Sequence, residues 1–159
     1  MGEQWYMQIA GVDGGSVLKA FERWIEVDAY SWEIGIPTGG GRATGTRAGR
    51  VTFGNLVVTA PISVASPRIV EACVLQRIVP KVVLSGTSVG EDGMSDVFLS
   101  YELSNAMVLA VHHSDDLAVR PTERIELTYS TIRITYTAQD ERGGPGQPVT
   151  TVHSRSNQN

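Results

Sequence analysis

The sequence predicts a mainly β protein: a compact antiparallel β-barrel of two bent sheets with one flanking α-helix at about residues 67–78. Three observations predict it. Apolar and polar residues alternate with a period of two over long stretches, as in half-buried strands. Several of these stretches change parity midway, which requires a bulge or a strand that crosses between faces of the core. One segment alone carries apolar residues at helical spacing between recognisable helix ends.

Trp5, Met7 and Ile9 alternate with Gln8 and Ala10 and read as the first strand. "VDGGS" then turns the chain. From Trp24 to Ile36 runs a longer strand, whose apolar set starts on Ile25 and Val27 and continues on Tyr30, Trp32, Ile34 and Ile36. Its parity changes near Asp28. The same change occurs between Phe53 and Leu56, across "GN", and between Tyr129 and Ile132. Strands that switch faces are expected at the corners of barrels and sandwiches. Residues 97–111 keep one parity in this reading, on Val97, Leu99, Tyr101, Leu103, Met107, Leu109 and Val111, as one long strand. "GEDG" (Gly90 to Gly93) joins it to a Lys81–Val89 strand as a hairpin. For the helix, Ser66 is the expected N-cap and Pro67 the first helical residue. Ile69, Val70, Cys73 and Val74 form its apolar stripe, Glu71 and Arg77 suit its dipole, and Pro80 stops it. Residues 1–149 read as one domain with an extended Gly/Arg-rich loop at 35–50, and 150–159 as a polar, frayed C-terminal tail.

A chain of 159 residues suffices for one domain with a real core. Its net charge of −4 does not suggest a nucleic-acid binder. No run approaches a membrane helix, and "MGEQWYMQIAGV" lacks the basic and apolar regions of a secretory signal. With Cys73 as its single cysteine, the chain can form no internal disulfide, so a reducing cytoplasm is the expected place of folding. "GGRATGT" has the glycines of a phosphate loop but neither the following lysine nor a helix. "HHSDD" (His112 to Asp116) has metal-ligand residue types, but adjacent histidines on a strand point to opposite faces. No "GxSxG" elbow supports a nucleophilic serine. Trp5, Trp24 and Trp32 read as core packing. The residues thus point to no enzyme, no catalytic site, no metal and no cofactor.

Taken in order, "YMQIAGVDG", "IEVDAYSWEI", a Gly-rich excursion, "GRVTFGNLVVT", "SPRIVEACV", "VPKVVLSG" and "RIELTYSTIRITYTAQDERGGPGQPV" resemble the haemolysin-coregulated protein (Hcp) family, the inner-tube subunit of type VI secretion systems. The likeness covers roughly Met7 to Val149 and is strongest in "AYSWEI" and in the "LTYSTIRITYT…GGPGQPV" end. It implies a flanked β-barrel assembled as a homohexameric ring around a wide pore. Rings stack into a tube that a contractile sheath drives out of the cell. Effector proteins ride in the lumen, and spike, sheath and baseplate proteins are the other partners. The chain is then made in the cytoplasm and secreted by the apparatus without a signal peptide, with no membrane insertion and no nucleic acid.

On that resemblance, residues 35–50 form an arm that reaches a neighbouring subunit or ring. Arg42, Arg47 and Arg50 make it positive, while Glu91, Asp92 and Asp96 form a negative hairpin tip and Asp115 and Asp116 a second acidic turn. These charges are the expected inter-subunit or inter-ring contacts. In "VDAYSWEI", aromatics facing the core leave Ser31, with Ala29 and Glu33, on the face expected to line the lumen and meet cargo. The competing reading is a non-catalytic β-barrel module for a small ligand or carbohydrate, with an apolar cavity.

Overall fold

The computed structural model of the chain describes residues 3–37, 50–89, 95–116, 119–139 and 144–155. The fold is mainly β and antiparallel. The longest strand, β8 (Ser95–Ser114), belongs to both halves of the fold. Its first half pairs with β7 (Val79–Val89) on one edge and β10 (Thr131–Gln139) on the other. Beyond β7 lie β1 (Gln4–Ile9) and β2 (Ile25–Val27), and beyond β10 lies β11 (Pro145–Ser154). The second half of β8 pairs with β9 (Thr122–Thr128), followed outward by β6 (Leu56–Pro61) and β3 (Ala29–Ser31). A separate small pair joins β4 (Ile34–Gly35) to β5 (Thr52–Phe53), the two stems that flank the segment expected to form the arm.

The parity changes are the bends of this sheet. At Asp28 the chain leaves β2 for β3, and the Asp28 N–H donates to the Thr59 carbonyl at 2.8 Å. At Tyr129–Ser130 it leaves β9 for β10, where the Ser130 N–H and hydroxyl both donate to the Ser104 carbonyl. The expected barrel does not close: the path of paired strands ends at β2 on one side and β3 on the other. These are consecutive pieces of one strand, so covalent continuity across Asp28 takes the place of a closing ladder.

Met7, Ile9, Ile25, Leu56, Val58, Leu84, Leu103, Ile125, Leu127 and Ile132 fill the space between the two halves, all at most 1% exposed. Trp5 and Trp32 pack against that cluster, while Tyr6 stacks on Phe21 outside it at 4.6 Å between ring centres. Trp24 meets Phe21 edge-on. Gly86 lies opposite Trp5, and a Cβ there would sit 2.6 Å from the indole, so the flat ring needs a bare backbone beneath it.

Several expectations change. The helix α1 runs from Ser66 to Val74 and ends four residues short of 78. It stops because Gln76 adopts φ 50°, with Arg77 N donating to Ala72 O and Gln76 N to Cys73 O, well before Pro80. Ser66 does not cap by its side chain; its hydroxyl is drawn instead to Glu123. The buried face of α1 is Ile69 and Ala72 with Cys73 half-buried, whereas Val70 and Val74 are exposed. Within β8 the single parity fails: burial passes from Leu103 to Ala106 and Val108, leaving Leu109 exposed. Asn105 at φ 50° resets the face, and a register shift between Val108 and Ala110 resets it again. Residues 150–154, read as the start of a frayed tail, instead continue β11 (Pro145–Ser154), because β10 offers them an antiparallel partner.

Candidate functional site

β3 puts Tyr30 against the core and leaves Ala29 and Ser31 exposed, as its alternation requires. Register extends this exposed face across the sheet. Ala29, Thr59, Arg124 and His112 form one row, and Ser31, Val57, Glu126 and Ala110 the next. Directly paired residues share a face, so the rows form one outward surface of small, polar and oppositely charged side chains. Glu33 is exposed just beyond it. Ser31, Trp32, Glu33, Asn55, Val57 and Glu126 line an open cleft of about 350 Å³, with Asn55 Nδ2 donating to Glu126 Oε1 at 2.9 Å.

The root of the arm is built beside this cleft. Glu33 O accepts from Gly54 N at 2.8 Å, and a Cβ on Gly54 would lie 2.8 Å from that same oxygen. Only glycine lets the two stems approach this closely. Trp32 Nε1 donates to the Tyr129 hydroxyl, which donates to Gly54 O, both at 2.7 Å. Burial pushes the Tyr129 hydroxyl pKa up; the Trp32 hydrogen bond and the nearby Arg155 pull the other way without cancelling it. Inside the sheet, the Tyr30 and Tyr101 hydroxyls meet at 3.0 Å, and burial, then this bond, raise the Tyr30 pKa well above its ordinary value.

Of the charged residues expected at subunit contacts, Arg42, Arg47, Glu91 and Asp92 lie outside the described residues. Arg50 is exposed on the second stem of the arm, and Asp96 is half-buried at the start of β8, paired in register with Ser88. Asp115 and Asp116 are exposed past the end of β8. His112 lies on the outward row, whereas the His113 imidazole turns the other way to Glu123, Nε2 to Oε2 at 2.6 Å. Among the described residues, no group of three or more His, Cys, Asp or Glu could hold a metal ion. Glu123, Tyr129 and Arg155 are the polar anchors that sequence reading missed. Each is a single residue whose partners lie on distant elements, and no local spacing marks it.

A family profile described as "Type VI secretion system effector, Hcp" matches residues 6–136. The chain belongs to the Hcp family. Solved structures repeat its fold from end to end. A type six secretion system protein superposes with a TM-score of 0.87 at 24% identity, covering 99% of this chain and 99% of the other. Hcp1 from Salmonella typhimurium gives 0.79 at 23%, covering 98% and 97%. A type VI secretion system effector from Yersinia pestis gives 0.72 at 16%, covering 94% and 98%. At these identities the structures establish a shared Hcp fold. No curated protein sequence matches the chain. Membership makes this Hcp a tube protein of type VI secretion, a structural class. No helix among its described residues is long and apolar enough to cross a membrane.

Proposed function

We propose that this Hcp forms rings of six copies that stack into a tube, and that the tube is expelled from the cell with effector proteins in its lumen. Synthesis in the cytoplasm, export without a signal peptide, and contact with sheath, spike and baseplate proteins belong to the same reading. The observation that carries it is the sheet with a core on one face and the Ala29 and Ser31 rows on the other, bounded by unequal edges. A ring wall needs this two-sidedness: one face fills each subunit, and the other faces the pore. The edges suit it too. From Val149 to Ser154, β11 carries neither proline nor Asp, Glu, Lys or Arg, the devices that usually protect an edge. β3, the edge where the path of paired strands ends, differs from it, and unlike patches that meet head to tail generate a ring where the rotation closes. Apolar side chains left exposed, among them Val74, Ile78 and Val149, supply area for such a contact.

Native mass spectrometry and electron microscopy test the reading. Six copies of a 17.2 kDa chain give particles of about 103 kDa, seen as annuli with six-fold symmetry. A protein that stays monomeric at micromolar concentration overturns it.

A further inference from the structure

The β4–β5 hairpin at the arm root is only two residue pairs long, Ile34 with Phe53 and Gly35 with Thr52. A ribbon that short does not hold its own direction in water. What holds it comes from the far end of the chain. Arg155 follows β11, and its own N–H donates to Ser130 O at 2.8 Å, which seats the residue at the β9–β10 bend. From there its guanidinium reaches the second stem. Nη2 donates to Phe53 O at 3.0 Å, and Nη1 to Asn55 Oδ1 at 3.2 Å and Thr128 Oγ1 at 2.8 Å. The cation lies 4.9 Å from the centre of the Tyr129 ring, whose hydroxyl holds Gly54 O and accepts from Trp32 on the first stem. One planar fork and one phenol therefore grip both stems at once. The acceptors are a backbone carbonyl, an amide and a hydroxyl. Asn55 passes its other end to Glu126, which places a carboxylate one residue removed from the cation.

We infer that Arg155 is a positioning residue: it fixes the β4–β5 stems against the body of the fold, and so couples residue 155, just past the end of β11, to the segment between those stems. The fork geometry is essential, because an ammonium is a point donor and cannot serve Phe53 O, Asn55 and Thr128 together while lying over the ring. The consequence for ring stacking rests on the function proposed above.

Hydrogen exchange on the assembled full-length protein tests it, with R155A, R155K and the parent compared. In R155A, exchange at Ile34, Gly35 and Thr52–Gly54 rises about tenfold or more, while the amides paired between β7 and β8 keep the parent's rates. R155K gives only partial restoration. Unchanged exchange at the arm root in R155A overturns the inference, as does full restoration by lysine, which would reduce the role to bare charge. A rise spread evenly over the whole chain also overturns it, since Arg155 would then be general ballast for the fold. Tube length, read by microscopy on the same samples, separates the two readings. A loosened root with tubes of normal length supports the clamp and removes the arm from stacking.

Discussion

Glu123 is a carboxylate at 1% exposure, a costly place for a charge unless its oxygens are engaged. They are. Ser66 Oγ donates to Oε1 at 3.0 Å and His113 meets Oε2 at 2.6 Å. The same Ser66 oxygen accepts from Ser63 N, so one side chain ties the start of α1 to both β8 and β9. Glu123→Ala strips both partners and opens a void; it should cost about 2–4 kcal/mol in urea unfolding. An unchanged unfolding midpoint would show that the group contributes nothing. Tyr30 gives a prediction of a different kind. Burial raises its pKa in the folded state, so folding favours the neutral phenol. The stability from this preference is fully present below about pH 10, the unfolded value, and is lost as pH rises from there toward the raised folded value. Tyr30→Phe cannot ionise. Its stability should fall less steeply above pH 10 than the parent's, even though it starts lower for want of the Tyr101 hydrogen bond. Parallel pH profiles for the two proteins would remove Tyr30 from the alkaline transition.

Element boundaries carry their own strain. α1 closes with the two hydrogen bonds of a left-handed cap, but the residue in the left-handed position is Gln76, at φ 50°. Glycine is the residue that takes this conformation freely. Gln76→Gly should therefore stabilise the protein by about 0.5–1 kcal/mol, read from thermal or urea unfolding. A loss of stability would mean that the Gln76 side chain contributes more than its backbone costs. This helix also marks where the sequence was legible and where it was not. Pro67 and the Ile69 face announced an element of the right kind in the right place, but its end depends on one backbone torsion that residue type does not reveal. The three parity breaks at Asp28, Gly54–Asn55 and Tyr129–Ser130 were readable because burial with a period of two leaves no other way to turn a strand. The break inside β8 was hidden, since "LSNAMVLAV" is apolar on both parities and only Asn105 hints at it. Strand partners were not readable at all. Nothing in "PGQPVTTVHS" names β10 as its neighbour. Arg155 bonds Asn55 and Phe53 from 100 and 102 residues away, a proximity that only the folded sheet creates.

At the scale of the whole molecule, the outward rows and the arm make separate demands on an assembly. Ser31 ends one row of the exposed face, on the edge strand β3, beside Val57 in register. If that face lines a pore, Ser31→Arg should leave the ring intact yet reduce the effector protein that copurifies with it; unchanged cargo in an intact ring would take Ser31 out of the contact. The Hcp resemblance leads us to expect that residues 35–50 reach a neighbouring subunit or ring; if they act between rings, their chemistry sets how firmly. Arg42, Arg47 and Arg50 fall in a segment with no acidic residue, and Asp96, Asp115 and Asp116, with Glu91 and Asp92, supply the opposite sign elsewhere on the chain. Asp115 and Asp116 are exposed. Exposed pairs contribute about 0–1 kcal/mol each and weaken as salt screens them. Val74, Ile78 and Val149 are exposed apolar side chains, and in the proposed ring their burial between subunits is a contribution that salt does not screen. Stacking and ring formation should therefore separate along a salt titration. Tubes shorten between about 0.05 and 0.5 M salt, where the screening length contracts to a few ångströms, while particles of ring mass persist. Arg42→Ser with Arg47→Ser should reproduce the high-salt behaviour at low salt: intact rings, short or absent tubes, impaired secretion, and a melting temperature close to the parent's. Tubes of parental length in the double variant, with the parent's salt response, would mean that the arm's charges only meet solvent and that stacking depends on some other part of the surface.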